Sequence, residues 1–572
     1  MKKELNLKYA NEVLEGIESL PKGSVLLANL QTGTGKTSAI LGTKDEKGNK
    51  IEGLIDKIPS NKKLIYLCNR SALKLQVLQD LYKMKDKELS DNIEDLDYQV
   101  DNVRIMSYQA MEKKISFKIA NQRRYPSDKY FSVDDYDYIV ADEAHYLISD
   151  ALFNRDTNLS FYELLMREHK NSVLIFLTAT DSKVKILIEN LVHKRTDKEG
   201  NQLFLKNKIQ MKFLQENIGI KKYFYRTSGI DYSYVNAKYF TSENDMITLI
   251  KNSPVDEKWI WFVTRKEDGR KYVQKLKELG ISAVFVDKNS KRAKAKIVKN
   301  SAFEERVLVC TKALDNGINI KDKAVKNVII QTYDEITFKQ ELGRIRIPID
   351  NPRQINLFID RCNHNHFNIS KENKDTLELF KKYDVYEDKK EFFNKATGIN
   401  NNTHMIGFGQ YDGEFKAPNR LFRECLELET EEKLIIASKL KSDEWYFIKL
   451  QLSWLGLENT FSEDNLIENV IDNEEVDRLE EFLRDNYEDD SLFTKDGFRE
   501  TIDDIINSDS KLLDIMNKLD GKHTREKGQK IYNKLFEKIG LNYRVVTKPK
   551  EEKINGKRKK ITYWIIAIEE NK

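Results

Sequence analysis

Short apolar runs recur along the first two thirds of the chain, and segments with helical periodicity separate them. Runs this short, rich in Val, Ile and Phe, are typical of strands that are buried on both faces. Residues 70–84 and 269–280 show the helical pattern. Alternation of strands with helices predicts parallel sheets. The predicted strands are 24–29, 63–68, 103–107, 136–141, 172–178, 258–263, 283–286, 306–310, 327–331 and 355–359.

The alternation falls into two blocks, and each block predicts one parallel-sheet lobe. After residue 370 the pattern changes to polar helical segments. Residues 463–490 carry thirteen Asp or Glu against two Arg, which indicates a solvated acidic face or an acidic surface for a partner. We therefore predict a first lobe at 1–225, a second lobe at 226–370, a helical accessory region at 371–495 and a C-terminal domain at 496–572.

The C-terminal domain shows a helix followed by a basic hairpin. Residues 524–541 have a helical pattern, and two strands, 542–548 and 559–568, flank the turn signal Asn555-Gly556. Residues 548–560 hold seven Lys or Arg against two Glu. This order resembles a winged helix, in which the helix enters a groove and the wing contacts phosphates. The alternative is a small α/β cap with a solvated lysine loop. The candidate wing residues are Lys557, Arg558 and Lys559.

Composition narrows the class of protein. The 572 residues are 33% charged, but the net charge is only +4, so a uniformly basic nucleic-acid coat is excluded and any basic surface is local. The four cysteines lie far apart, which argues against a disulfide framework and favours a reducing compartment. The first residues lack an apolar signal region, and no run of about 18 apolar residues occurs. We expect a cytoplasmic protein without a membrane span.

The stretch SVLLANLQTGTGKTSAILGT, residues 24–43, reads as a strand, a phosphate-binding loop and a helix. Backbone N–H groups of such a loop point at phosphate oxygens, and Gly33 and Gly35 allow a close approach. Lys36 supplies charge to the β and γ phosphates, and the Thr37 hydroxyl is a ligand for Mg²⁺. Leu30 occupies the position of the first glycine of the usual pattern, which leaves a simple Gly-Thr turn as the alternative.

Two adjacent carboxylates follow the predicted strand in YDYIVADEAH, residues 136–145. A carboxylate at the C-terminal end of a parallel strand lies beside the phosphate loop, so Asp142 is placed to reach Mg²⁺. Glu143 is placed to orient and deprotonate an attacking water. The alternative is a charged helix cap after a strand.

Eight motifs occur in one order along the chain: QTGTGKT, CNRSALKLQ, IMSYQAM, DEAH, TAT, FVTR, TKALDNGINI and QELGRIR. The series resembles superfamily 2 helicases and translocases of the DEAH/DExH kind, and the resemblance covers about residues 20–360. It implies an α/β fold with two tandem RecA-like lobes before the mostly helical C-terminal region. It also implies ATP and Mg²⁺ between the lobes, and single-stranded or partly duplex nucleic acid as the partner.

The resemblance implies an ATP-dependent helicase or translocase. DNA is preferred over RNA because of the winged-helix interpretation. The alternatives are an RNA helicase and a nucleotide-gated nucleic-acid-binding switch with little unwinding. Direction of travel, pathway and protein partners do not follow from the motifs.

The resemblance also assigns residues to roles. The nucleotide-binding set is Gln31, Thr32, Gly33, Thr34, Gly35, Lys36, Thr37 and Gly317. The catalytic set is Lys36, Asp142, Glu143, Gln340, Arg344 and Arg346. The set that couples hydrolysis to movement is His145, Thr178 and Thr180. Besides the wing, the nucleic-acid set is Asn69, Arg70, Ser107, Tyr108, Gln109, Thr264, Arg265 and Thr311.

Two positions depart from the family pattern. The pattern Q-x-x-G-R-x-x-R requires a second arginine at 347, where this chain has Ile347, and Arg346 lies one residue earlier. On a helix this shift rotates the side chain by about 100°, so Arg346 either reaches the phosphate through a distorted turn or points to the lobe interface. Asn319 stands where many relatives carry an acidic residue.

Overall fold

The computed structural model divides the chain into two compact units. The first comprises Met1–Ala237, Lys258–Arg270 and Val284–Glu463, and the second comprises Lys238–Glu257, Lys271–Ala283 and Asp464–Lys572. The structure describes residues 4–44, 48–69, 77–78, 81–82, 97–122, 125, 130–167, 169–193, 222–312, 319–361, 366–386, 392, 403–407, 417–468, 470, 473–508, 510–520, 528–554 and 557–568.

The strands of the described residues are as follows. They are β1 (Ser24–Asn29), β2 (Thr43–Lys44), β3 (Lys50–Ile51), β4 (Leu64–Cys68), β5 (Asp97–Val100), β6 (Val103–Ser107), β7 (Tyr138–Ala141), β8 (Val173–Thr178), β9 (Lys222–Thr227), β10 (Val235–Phe240), β11 (Lys258–Phe262), β12 (Ala283–Val286), β13 (Val307–Cys310), β14 (Val325–Ile330), β15 (Ile355–Asp360), β16 (Ile406–Gly407), β17 (Ala417–Pro418), β18 (Leu466–Ile467), β19 (Tyr543–Ile554) and β20 (Lys557–Ile568).

The α-helices of the same residues are α1 (Ala10–Val13), α2 (Lys36–Leu41), α3 (Leu54–Lys57), α4 (Tyr108–Asn121), α5 (Tyr146–Ser149), α6 (Thr157–Phe161), α7 (Ser182–His193), α8 (Glu243–Asn252), α9 (Lys266–Glu278), α10 (Lys291–Asn300), α11 (Glu335–Leu342), α12 (His366–Tyr386), α13 (Arg420–Lys439), α14 (Tyr446–Trp454), α15 (Asn473–Glu488), α16 (Lys495–Ser508), α17 (Ser510–Asp520) and α18 (Gln529–Lys538). A π-helical turn at Tyr162–Met166 follows α6. None of the helices in the described ranges is long and apolar enough to cross a membrane.

The first sheet has seven strands in the order β5-β6-β4-β7-β8-β1-β9. The pairings are parallel except that between the edge strand β5 and β6. Successive residues of each central strand enter opposite cores, since Leu27 and Ile65 pack in one hydrophobic cluster whereas Leu26 and Tyr66 pack in the other. Burial on both faces explains why these strands read as continuous apolar runs.

The second sheet also has seven strands. Five of them belong mainly to the first unit and follow the order β12-β13-β11-β14-β15, and β11 pairs in parallel with both β13 and β14. In the second unit, β10 pairs in parallel with β18 through Tyr239 and Phe240. The prediction of two parallel-sheet RecA-like lobes with a helical C-terminal region is confirmed.

Helix α13 packs against both lobes within the first unit. Its Leu421 and Cys425 belong to the core cluster of the first lobe, and Glu432 forms an ion pair with Lys183 at 2.8 Å. Its Lys433 donates to the Tyr333 carbonyl oxygen, at 3.4 Å, in the segment that follows β14. Both lobes therefore contact the same accessory helix.

In the second unit, the C-terminal helices and the hairpin share one core. Phe498, Tyr532 and Trp564 form edge-to-face contacts within it. Asn533 of α18 accepts a hydrogen bond from the Val545 N–H at 2.7 Å and donates to the Val545 carbonyl at 3.2 Å, which fixes the helix to β19. The hairpin pairs antiparallel along twelve residues of each strand. The predicted turn at 555–556 lies outside the described residues, and the winged helix stays a prediction.

Candidate active site

The phosphate loop joins β1 to α2 and is built by backbone conformation. Gly33 and Gly35 have φ of 94° and 86°, in the left-handed region that favours glycine. Leu30 is completely buried in the core of the first lobe, and its N–H donates to the Thr178 carbonyl at 2.7 Å. The position therefore continues the strand into the core, which explains how a leucine replaces the usual first glycine.

Side chains on the inner side of the loop hold it in place. The Thr34 hydroxyl donates to the Gln31 carbonyl at 2.8 Å, and the Gln31 side-chain amide exchanges two hydrogen bonds of 2.9 Å with the Asp231 backbone. The Thr34 carbonyl accepts from the Ala10 N–H at 2.8 Å. Gln31 and Thr34 thus brace the loop, whereas Gly33 and Lys36 line the cavity.

The two carboxylates follow β7 in a constrained turn. Asp142 is only 2% exposed, and its Oδ1 accepts the Glu143 N–H at 2.9 Å. The Tyr66 hydroxyl donates to Asp142 Oδ2 at 2.6 Å, and the Tyr108 hydroxyl donates to the Asp142 carbonyl at 2.9 Å. Glu143 has φ of 52°, a strained conformation for a residue with a side chain and one that clusters at functional sites.

The electrostatic environments of the two carboxyl groups differ. Burial and the neighbouring Glu143 charge raise the pKa of Asp142. For Glu143, burial is outweighed by nearby positive charges, first that of Lys36, whose Nζ lies 3.5 Å from Glu143 Oε1, and then those of Arg344 and Arg346. The pKa of Glu143 is therefore lowered, and its carboxylate is ionised at neutral pH.

The residues present fit a magnesium site. Asp142 and Thr37 line the same cavity, and carboxylate and hydroxyl oxygens are donors that Mg²⁺ prefers. The raised pKa of Asp142 reflects a buried negative charge with too little compensation, which a divalent cation would supply.

His145 connects the carboxylates to the second lobe. Its Nδ1 lies 3.4 Å from Glu143 Oε2 and 3.3 Å from Thr178 Oγ1, and its Nε2 contacts Gln340 Nε2. Burial lowers the pKa of His145 to about 4 despite the Glu143 charge, so the ring is neutral at neutral pH. Thr178 Oγ1 in turn accepts the Thr180 N–H at 3.0 Å. The predicted coupling residues thus form one hydrogen-bonded chain.

The second lobe presents two arginines to the same cavity. Helix α11 ends at Leu342, and Ile345 forms a parallel bridge with Ile320. Arg344 lies in the turn that follows the helix, Arg346 follows the bridge, and both line the cavity. The helical rotation considered from the sequence does not apply here, since the helix has already ended.

Arg346 is held by the residue that departs from the family pattern. Its Nε donates to Asn319 Oδ1 at 2.8 Å, and its backbone N–H donates to the Ile320 carbonyl at 2.9 Å. Burial, followed by repulsion from Arg344, lowers the pKa of Arg346 to about 10, so the guanidinium remains charged at neutral pH. A neutral amide at 319 orients this arginine without neutralising it.

A cavity of about 1150 Å³ contains most of the predicted nucleotide and catalytic residues. Those that line it are Thr32, Gly33, Gly35, Lys36, Thr37, Asn69, Asp142, Glu143, His145, Thr180, Gln340, Arg344 and Arg346. Further lining residues, missed from the sequence, are Ser38, Phe153, Lys312, Lys321, Lys323, Asn351 and Arg353. Of these, Lys321 and Lys323 could have been found from the sequence, because they directly follow the motif NGINI. Gly317 lies outside the described residues.

The predicted nucleic-acid residues occupy varied environments. Gln109 Nε2 lies 3.4 Å from Asn69 Oδ1, which brings two motifs together. Ser107 and Tyr108 are buried, and Ser107 accepts the Ala110 N–H at 3.1 Å as the cap of α4. Arg70 lies outside the described residues.

After strand β11 of the second sheet, Thr264 and Arg265 are exposed, and Arg265 pairs with Asp268 at 2.7 Å. Thr311 is half-buried. On β20, Arg558 and Lys559 are exposed, and Lys557 lies opposite Ile554 in the ladder. For all of these residues, nucleic-acid contact stays a prediction.

Two family models match the chain. Residues 6–183 match the type III restriction enzyme res subunit, and residues 241–347 match the helicase conserved C-terminal domain. No curated protein matches the sequence.

Similar solved structures have low identity. S. cerevisiae Dbp5 bound to RNA and ADP BeF3 is 15% identical over 64% of this chain and 90% of that chain, with a TM-score of 0.40. Mycobacterium smegmatis helicase Lhr bound to ssDNA and AMP-PNP is 12% identical over 64% of this chain and 47% of that chain, also with a TM-score of 0.40. A DEAD box protein from Methanococcus jannaschii is 14% identical over 63% and 94%, with a TM-score of 0.31.

The family matches agree in order with the two lobes. The res-subunit match contains the phosphate loop and the carboxylates, and the C-terminal helicase match ends at Ile347, after both arginines. The two domain matches support an ATP-hydrolysing helicase.

Proposed function

We propose that the chain is a motor of the DEAH/DExH kind that uses ATP hydrolysis to move along single-stranded nucleic acid, with DNA preferred over RNA. The observation that supports this most is the single cavity shared by the phosphate loop, the two carboxylates and the paired arginines. Each lobe contributes charges to this cavity, so its catalytic arrangement depends on how the lobes approach each other.

The loop and Lys36 bind the β and γ phosphates of ATP. Asp142 and Thr37 would hold Mg²⁺, which supplies positive charge that offsets the charge of the phosphates when it is bound. Glu143 orients the attacking water and accepts its proton, since its carboxylate is ionised and has an oxygen available for the proton. The water oxygen bonds to the γ-phosphorus while the bond to the β–γ bridging oxygen breaks, giving ADP and phosphate.

Arg344 and Arg346 stabilise the charge that develops on the transferred phosphoryl group. Both are close enough to Glu143 to lower its pKa, which places their charges at the reacting end of the cavity. Arg346 takes the role of the arginine expected at 347. Because each arginine acts mainly in the transition state, its loss should slow hydrolysis more than it weakens nucleotide binding.

The hydrogen-bonded chain from Gln340 through His145 to Thr178 couples ATP hydrolysis to the movement of the lobes. Gln340 belongs to the second lobe, and its contact with His145 exists only while the two lobes are close. Separation of the lobes after hydrolysis breaks this contact and frees His145, which is also 3.4 Å from Glu143. Opening of the cleft and loss of catalytic geometry are thereby linked.

The preference for DNA rests on α18 and the basic hairpin. Lys553, Arg558 and Lys559 are exposed near the far end of the hairpin, where they can contact phosphates. Asn69 and Gln109 lie together after β4 and β6 and contribute to the surface of the first lobe that binds the nucleic-acid strand.

The test is the ATPase rate of the full chain with single-stranded DNA and with RNA of the same sequence. We expect stimulation by both polymers, stronger by DNA, and its loss in Lys36→Ala and Glu143→Gln. Lys277→Ala, which removes an exposed lysine of α9, should behave as the wild type. A wild-type rate equal to that of Glu143→Gln would contradict the enzyme mechanism, and stronger stimulation by RNA would reverse the preference.

The arginines are tested by comparing Arg344→Ala with Arg346→Ala. We expect each variant to lower kcat by about 10³-fold or more, as for arginines that stabilise phosphoryl transfer, with little change in ADP affinity. If Arg346→Ala retains the wild-type kcat, Arg346 does not replace the missing arginine.

A further inference from the structure

The Tyr66 hydroxyl binds one of the two residues assigned to magnesium. Tyr66 is in the middle of β4 and is completely buried. Its hydroxyl donates to Asp142 Oδ2 at 2.6 Å, and Asp142 lines the same cavity as Thr37. One buried phenol thus holds the carboxylate motif from a neighbouring strand, although Tyr66 does not belong to that motif.

The packing of Tyr66 does not require its hydroxyl. Its ring lies in the apolar core on one face of the first sheet, among residues such as Leu26 and Val140. A phenylalanine would fill this space equally well. Burial of a hydroxyl without a partner is costly, so a phenol at this position is favoured by its hydrogen bond to Asp142.

Asp142 is constrained at every oxygen. Oδ1 accepts the Glu143 N–H, Oδ2 accepts the Tyr66 hydroxyl, and the carbonyl oxygen accepts the Tyr108 hydroxyl. Hydrogen bonds that orient a metal-binding carboxylate before the metal arrives raise metal affinity, because the ordering cost has already been met.

We propose that Tyr66 is a positioning residue for magnesium-nucleotide binding, whose hydroxyl fixes the orientation of the Asp142 carboxylate. This inference rests on the proposed nucleotide site. Tyr66 itself does not contact nucleotide or metal. Loss of its hydroxyl leaves the carboxylate in the cavity but no longer holds it in one orientation, so a higher magnesium concentration is needed to bind the nucleotide.

Tyr138→Phe is the matched control for Tyr66→Phe. Tyr138 lies in the adjacent strand β7 and packs in the same hydrophobic cluster. Its hydroxyl donates to the Glu18 carbonyl at 2.9 Å, away from the carboxylates. Both substitutions therefore remove one hydroxyl from the same core, but only Tyr66→Phe removes a hydrogen bond to a predicted metal ligand.

The experiment measures equilibrium binding of a fluorescent ADP analogue to the full chain over a range of Mg²⁺ concentrations and in EDTA. For Tyr66→Phe we expect the half-saturating Mg²⁺ concentration to rise about 10-fold or more, which is typical when a hydrogen bond to a metal ligand is lost. The affinity in EDTA should stay within about twofold. Tyr138→Phe should match the wild type in both measurements.

The proposal is overturned if Tyr66→Phe and Tyr138→Phe need the same Mg²⁺ concentration. It is also overturned if Tyr66→Phe does not fold under conditions where Tyr138→Phe does, because the hydroxyl would then be required for the fold. Failure of the proposed nucleotide site has a different signature, in which wild-type binding is independent of Mg²⁺ and Lys36→Ala binds the analogue as tightly as the wild type.

Discussion

Glu112 provides a direct test of the electrostatics inside the first lobe. The side chain lies on α4 and the residue is 2% exposed. Its Oε1 accepts hydrogen bonds from the Tyr146 hydroxyl at 2.9 Å and the Ser160 hydroxyl at 2.6 Å. Burial outweighs these hydrogen bonds and raises the pKa of Glu112 to about 7. The carboxyl group is therefore close to half-protonated in the folded protein at neutral pH.

The raised pKa predicts a loss of stability with rising pH. The folded state binds the Glu112 proton more tightly than the unfolded state does. The stabilisation that this proton gives is therefore fully present below pH 4.5 and is lost as the pH rises through 7. A shift from 4.5 to about 7 corresponds to roughly 3 kcal/mol at about 1.4 kcal/mol per unit. Glu112→Gln keeps the shape and stays neutral, so its free energy of unfolding should lack this dependence.

Hydrogen exchange of the α4 amides, residues 108–121, measures this difference locally. Comparing Glu112→Gln with the wild type at each pH removes the contribution of all other titrating groups and of the intrinsic exchange rate. We expect the variant to gain up to about 3 kcal/mol relative to the wild type between pH 5 and 8.5. A difference that is constant over this range would refute a raised pKa at Glu112.

Two further substitutions test contacts on which the fold and the site depend. In Gly343→Ala the new Cβ would lie 2.8 Å from the Thr32 hydroxyl oxygen of the phosphate loop, so we expect kcat to fall at least tenfold. Gly528→Ala is the control, because Gly528 has open space around it and its substitution should leave kcat unchanged. Asn533→Ala leaves both polar backbone groups of Val545 without their hydrogen-bond partner, and hydrogen exchange of β19 should report a loss of about 1–3 kcal/mol. Unchanged kcat in Gly343→Ala, or unchanged exchange in Asn533→Ala, would contradict the respective contact.

The central strands could be predicted from the sequence because one physical pattern dominates them. Residues 24–29 and 103–107 were predicted with the bounds that the structure has, since most positions of both strands are buried and apolar. Edge strands lack this signal. Asp97–Val100 and Lys222–Thr227 were missed because one edge of each faces away from the sheet and polar residues are tolerated.

The candidate site could be predicted from the sequence where its chemistry depends on a local motif. Lys36 and Glu143 were singled out because a phosphate loop and a strand-end carboxylate are short, contiguous patterns, and the structure brings the two side chains to 3.5 Å. Tyr66 was missed because a tyrosine within an apolar run is indistinguishable from a core residue until its hydroxyl has a partner. Contacts between distant segments carry no sequence pattern.

The two departures from the family pattern meet in one contact of this chain. The parallel bridge between Ile320 and Ile345 brings two distant segments together, and Arg346 Nε donates to Asn319 Oδ1 beside it. A carboxylate at 319 would offset the charge of Arg346, whereas the amide orients the guanidinium and leaves its charge uncompensated. A pattern that counts residues cannot show this contact, because it joins segments that lie far apart in the sequence.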